Sequence, residues 1–115
     1  MPRPWSMRFV ESLPEVNYFK PAGIRLTELA EVVLSVEEFE ALRLADLDEL
    51  DQSDACEKMG VSQPTFHRML LSARKKTADA LVNGKAIKIE GGNYEVGRPR
   101  GLGRGRGFGR RRGMV

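Results

Sequence analysis

A mainly α-helical fold is predicted, with three helices forming a helix-turn-helix core and a small β-hairpin following them. Three features of the sequence predict it. Ser35, Asp51 and Ser62 stand where helix caps are needed. Gly60 and Gly84 stand where helices must stop. Apolar residues recur at helical spacing between these marks. With 41% apolar and 30% charged residues, the 115-residue chain suits one small domain with its own core. It divides into an irregular N-terminal arm over 1–34, a folded domain over 35–96 and an Arg/Gly-rich tail over 97–115.

In the arm, prolines at 2, 4, 14 and 21 forbid a long helix. Met7–Val10 suits a short strand, and Tyr18–Gly23 reads as an ordered turn with two aromatics to pack. The stretch 24–34 is ambiguous, although Glu31-Val32-Val33-Leu34 ends it with β-branched residues that favour extension. Ser35 and Glu38 form a capping box opening the first helix, which carries Val36, Phe39, Leu42 and Leu47 on its apolar face and ends near Leu47. Asp51 caps a short second helix, Gln52 to Met59, and Gly60 supplies the positive φ of its exit. Ser62 caps a long third helix, Gln63 to about Val82. Its buried stripe is Phe66, Met69, Leu70, Ala73, Thr77, Ala80 and Leu81, and Asn83-Gly84 ends it. Lys85–Glu90 and Tyr94–Val96, separated by Gly91-Gly92-Asn93, read as a hairpin, which gives the domain a winged-helix-like outline. The hairpin would pack on the long helix or pair with Met7–Val10. Beyond Gly97 the composition, Gly and Arg with little else, predicts a disordered tail.

Charge is unevenly spread. Arg98, Arg100, Arg104, Arg106, Arg110, Arg111 and Arg112 fill the tail without a single acid, leaving 12 of the 19 basic residues against all 16 acids elsewhere. Inside the domain, residues 28–57 hold eleven acids and one base, Arg43. Residues 58–78 hold Lys58, Arg68, Arg74, Lys75 and Lys76 and no acid. A polyanion is attracted to the second stretch and repelled by the first.

Enzyme chemistry finds little to stand on. Cys56 and His67 are the only residues of their kinds, so neither a disulfide nor an ordinary structural zinc site can form, and no metal or cofactor is expected. Cys56 falls where a small inward residue is needed, and His67 follows the inward Phe66. They therefore face different ways and make a poor nucleophilic pair. The acids between Glu37 and Asp54 read as a solvated face, and there is no phosphate-binding loop ending in Gly-Lys-Ser/Thr. No run reaches the roughly 18 apolar residues of a membrane span, and no signal-peptide core follows the start, so a cytoplasmic protein without a membrane partner is expected.

What remains is nucleic-acid recognition. A helix-turn-helix needs a small residue midway along its second helix, a glycine at the exit and apolar residues filling the angle. Cys56, Gly60, and Ala55, Met59, Val61, Phe66 and Met69 meet these needs. The start of the third helix then enters the major groove. Gln63, Thr65, His67 and Arg68 are the base-reading candidates, since glutamine pairs bidentately with adenine and arginine with guanine. Gln52, Ser62, Arg74 and Lys75 are the phosphate candidates. For Arg74 and Lys75, ordinary surface charge is an equal reading.

Several separated motifs carry a family resemblance: Met1-Pro2-Arg3-Pro4, Tyr18-Phe19-Lys20-Pro21-Ala22-Gly23-Ile24, Glu40-Ala41-Leu42-Arg43-Leu44-Ala45-Asp46, Met59-Gly60-Val61-Ser62, Ala73-Arg74-Lys75-Lys76 and Ile89-Glu90-Gly91-Gly92-Asn93-Tyr94. Over about residues 1–96 the chain resembles a family of small uncharacterised prokaryotic proteins thought to bind DNA, with a helix-turn-helix similar to region 4 of sigma factors. The resemblance implies a prokaryotic protein with a tri-helical core. Members often carry arginine where Gln63 stands and a small residue where His67 stands, so the presumed reading surface departs from the family's.

The sequence thus leads to the expectation of a non-enzymatic, sequence-specific double-stranded DNA-binding transcriptional regulator, acting as a homodimer because one such module buries little surface. Two alternatives stand beside it. One is an RNA or single-strand binder driven by the arginine tail. The other is a protein-interaction module of the transcription machinery, in which the acidic first helix contacts a basic partner; RNA polymerase is a candidate partner of the protein.

Overall fold

The computed structural model describes residues 7–97. Its centre is a set of three helices, α1 (Val36–Leu42), α2 (Gln52–Met59) and α3 (Gln63–Asn83). The caps form as their residues dictate. The Ser35 hydroxyl accepts from the Glu38 amide (3.1 Å) while the Glu38 carboxylate accepts from the Ser35 amide (2.9 Å), completing the capping box. Asp51 accepts from the Asp54 amide and Ser62 from the Thr65 amide. Gly60 ends α2 at φ 69° and Gly84 ends α3 at φ 68°, the left-handed conformation that favours glycine.

After Leu42 the first helix continues to Leu47, but as one π-helical turn, Arg43–Leu47, in which the Asp48 amide reaches back five residues to the Arg43 carbonyl. The chain leaves this turn through Glu49, the only non-glycine among the described residues with positive φ.

Five short strands surround the helices: β1 (Arg8–Val10), β2 (Tyr18–Phe19), β3 (Glu31–Leu34), β4 (Ala86–Ile89) and β5 (Tyr94–Val96). β4 is the middle of a three-stranded sheet, antiparallel to β2 and parallel to β3, with Ile87 opposite both Phe19 and Val32. β5 pairs in parallel with β1, Tyr94 opposite Arg8 and Val96 opposite Val10. Three helices with two small sheets replace the mainly helical outline. The expected hairpin does not form, because both edges of β4 are already taken by β2 and β3. The Gly91-Gly92-Asn93 turn instead carries the chain from one sheet to the other. Its Gly91 carbonyl accepts from the Val36 amide and its Asn93 amide donates to Glu37. A side chain on Gly92 would meet the Glu37 carboxylate at 2.9 Å. The N-terminal arm, expected to be irregular, supplies three of the five strands. Only the pairing expected between Met7–Val10 and the C-terminal segment is found, through β5. The tail expected to be disordered lies, from residue 98 onward, outside the described residues.

The core has two parts. Ala41, Leu44, Ala55, Cys56, Met59, Phe66, Met69 and Leu70 fill the angle between the helices. Val10, Leu34, Val36, Ala73 and Ile89 lie between α3 and the strands. Phe66, Met59 and Leu44 are essentially sealed from solvent, each contributing roughly 1.5–3 kcal/mol by burial. Leu81 is a correction to the predicted buried stripe. It is 77% exposed and its neighbour Val82 80%, while Ala80 in the same turn is buried, so Leu81 stands at the edge of the face that packs; Leu47, expected on the apolar face of the first helix, is likewise 74% exposed.

Candidate nucleic-acid interface

The connection between α2 and α3 is three residues long, Gly60-Val61-Ser62. Val61 packs on the inter-helix core, and its amide bonds the Cys56 carbonyl. This fixes the direction in which α3 starts. Phe66, Met69 and Leu70 turn inward, so the alternate positions turn outward. Ser62, Gln63, Pro64, His67 and Arg68 are exposed and Thr65 is half-buried.

These outward side chains are linked. The Ser62 hydroxyl donates to Thr65 Oγ1 (3.0 Å), and Arg68 Nη2 donates to the same oxygen (3.4 Å). On the neighbouring flank Gln52 Nε2 lies 3.4 Å from His67 Nδ1. The structure therefore brings Gln52, Ser62, Gln63, Thr65, His67 and Arg68 onto one surface.

The other proposed phosphate ligands lie further along α3 and differ in availability. Arg74 is held by Asp46 of the π turn through two hydrogen bonds, 3.0 and 2.7 Å. That contact raises the arginine's pKa further and holds the aspartate's below its usual value. Lys76 is paired with Glu38 (2.8 Å) and Lys58 with Glu11 (3.2 Å). Among the described residues, Arg68 and Lys75 are the cations of this stretch that lie within ion-pair distance of no carboxylate.

Cys56 is buried, with its Sγ directed at the Ser53 carbonyl (3.4 Å), and burial pushes its thiol pKa up. His67 is on the surface, so the two do face different ways. No group of three or more His, Cys, Asp or Glu among the described residues is placed to hold a metal ion. None of the described helices is long and apolar enough to cross a membrane.

The reading of the acids between Glu37 and Asp54 as a solvated face fails at Glu40, which is buried in a charged network. The Glu40 side chain is only 2% exposed, yet it accepts from Arg43 Nε (3.1 Å), Arg43 Nη2 (2.9 Å) and the Glu11 amide (3.0 Å). Arg43 also holds Glu11 (2.6 Å) and Asp48 (2.7 Å), and Lys58 closes the ring onto Glu11. The chain end of β1 is thereby fastened to α1, the π turn and α2. The available signal was Arg43 itself, a single base within an acidic run.

Fold and surface define a small three-helix protein with strands contributed from both sides of its helices, presenting the polar and basic start of α3 to solvent. The chain belongs to the family described as protein of unknown function DUF134, whose model matches residues 1–97. It is 60% identical over 96 residues to a UPF0251 protein of Caldanaerobacter subterraneus subsp. tengcongensis, covering 84% of this chain and 81% of that protein. It is 61% identical over 100 residues to a UPF0251 protein of Moorella thermoacetica, covering 87% and 67%. A UPF0251 protein of Dehalococcoides mccartyi strain BAV1 is 57% identical over 96 residues, covering 84% and 82%. No solved structure matches the chain. Membership in an uncharacterised family with prokaryotic relatives agrees with the motifs, and the family match stops where the arginine tail begins.

Proposed function

We propose that the protein binds double-stranded DNA as a transcriptional regulator, with α2 and α3 acting as a helix-turn-helix. The observation that supports this reading is the first two turns of α3. Phe66, Met69 and Leu70 anchor the helix, while Gln63, Thr65, His67 and Arg68 offer polar groups outward and no acid occurs between residues 58 and 78. Arg68 and Gln63 would read base edges, each bidentate pair worth about 1–3 kcal/mol of discrimination. Ser62, Gln52 and Lys75 would hold phosphates. Arg74 contributes less than its charge suggests, since it must leave Asp46 to do so. The reading contains no catalytic step. Two copies on a two-fold operator would supply the surface that one head lacks.

The test is selection of the full chain on a random duplex library, beside an Arg68→Ala variant and a variant with the seven tail arginines replaced by serine. A motif that survives loss of the tail charges and is relaxed by Arg68→Ala is the expected result. No enriched motif, with affinity following the tail arginines alone, rejects it. That outcome would favour the second reading, an RNA or single-strand binder, which rests on those seven arginines and the absence of acids among them.

A further inference from the structure

At the far end of α3 from the proposed reading surface, the sheet and the helix do not close on each other. They leave an open groove of about 280 Å³, walled by Phe19, Pro21, Ala80, Leu81 and Ile87. Most of the side chains that wall it are apolar. Phe19 and Leu81 in its walls are 50% and 77% exposed, and Val82, next to Leu81 in the chain, is 80% exposed. Isolated exposed apolar residues need no explanation, but a groove with an adjoining apolar ridge marks a contact surface. The groove is smaller and more open than the roughly 300–1,000 Å³ clefts that enclose drug-sized ligands, and suits two or three side chains of a peptide.

Charge selects the occupant. Lys20 and Lys85 line the groove. Lys85 is met by Asp79 (2.9 Å), whereas Lys20 donates to the neighbouring Pro21 carbonyl (3.0 Å) and is within ion-pair distance of no carboxylate among the described residues. The arginine tail carries the same sign and is repelled. A two-fold contact between copies would set one lysine rim against the other. An apolar segment bearing carboxylates is attracted.

We propose that this groove docks an acidic amphipathic segment of another protein, with its apolar side chains between Phe19 and Leu81 and a carboxylate on Lys20. The groove lies roughly 30 Å, the length of α3, from Gln63. Both surfaces can therefore be occupied at once, and the inference does not depend on DNA binding.

The probe is a synthetic helical peptide of Leu, Phe and Glu with apolar residues at i, i+3, i+4 and i+7, together with its Glu→Gln counterpart. Each is titrated into isotope-labelled full-length protein while amide shifts are followed. Shifts at Lys20, Leu81, Val82 and Gly84 are expected. Leu81→Asp, at a position too exposed to carry the fold, should weaken binding by about tenfold, as should the Gln peptide. The reference spectrum of the Leu81→Asp protein shows whether its fold is retained. Should Leu81→Asp misfold, Lys20→Glu, at a surface position, serves in its place. Shifts confined to residues 97–115 would assign the peptide to the arginine tail and overturn the proposal. So would equal binding of the two peptides, or self-association of the protein that the groove variants abolish.

Discussion

Replacing Glu40 by glutamine should cost about 3 kcal/mol of folding stability at neutral pH. The carboxylate is 2% exposed and takes two hydrogen bonds from Arg43 and one from the Glu11 amide. Glutamine keeps the shape but turns an NH2 group toward donors, so at least one buried donor loses its acceptor. Removing one partner of a fully buried pair costs about 3–5 kcal/mol. Arg43 is not stranded by the change, since its side chain is 26% exposed and retains Glu11 and Asp48. That places the cost at the lower end of the range. For a domain of this size each kcal/mol moves Tm by about 4–8 °C, so a fall of about 12–24 °C is expected. Urea denaturation followed by circular dichroism measures the loss. A cycle with Arg43→Met measures the coupling, which should exceed about 1 kcal/mol. If Glu40→Gln costs under about 1 kcal/mol, or the two substitutions simply add, the network is not what fastens β1 to the helices.

Stability should fall in acid through Glu11 and Glu38. In both, burial works to raise the pKa, but it is outweighed. Arg43 and Lys58 hydrogen-bond Glu11, and Lys76, Ser72 and the Ser35 amide hydrogen-bond Glu38, so both carboxyls are held below the ordinary value of 4.5. The unfolded chain then binds more protons, so their contribution is whole above the ordinary value and drains away as pH drops through the lowered ones. Glu38→Gln should flatten that part of the stability–pH curve, and an unchanged curve would contradict it. Gly60→Ala forces alanine to φ 69° and should cost about 1–2 kcal/mol, with Gly60→Asn costing less. Equal losses would show that the left-handed cap is not the cause. The Cys56 thiol should react with a disulfide reagent far more slowly in the native protein than in denaturant, and comparable rates would mean that the α2–α3 junction opens readily.

The helices were legible because their signals are local. Ser35 with Glu38, Asp51, Ser62, Gly60 and Gly84 act within one turn of where they stand, and each took the predicted role. The strands were not legible to the same degree, because a strand's partner is decided elsewhere in the chain. Lys85–Val96 carries every mark of a hairpin, and nothing within it reveals that Tyr18–Phe19 and Glu31–Leu34 occupy both sides of β4. Leu81 kept helical spacing, yet it borders an open groove instead of the closed core. On the candidate interface, the outward placement of Gln63, His67 and Arg68 followed directly from burying Phe66. The partners of Arg74 and Lys76 could not be read, since Asp46 and Glu38 reach them from other elements.

Every strand of the N-terminal arm waits for one that comes late. Among the described residues β1 pairs only with β5, and β2 and β3 are both joined through β4. During synthesis, residues 8–34 therefore emerge first and stay unpaired until residues 86–96 have followed them out. The helices between can form in the meantime from contacts nearer in sequence. Closing so long an intervening loop is slow relative to the helical steps, so the sheets should be the last part of the molecule to order. A chain cut short before Ala86 would retain its helix-forming sequence but leave three apolar strands without partners, exposed to neighbouring chains.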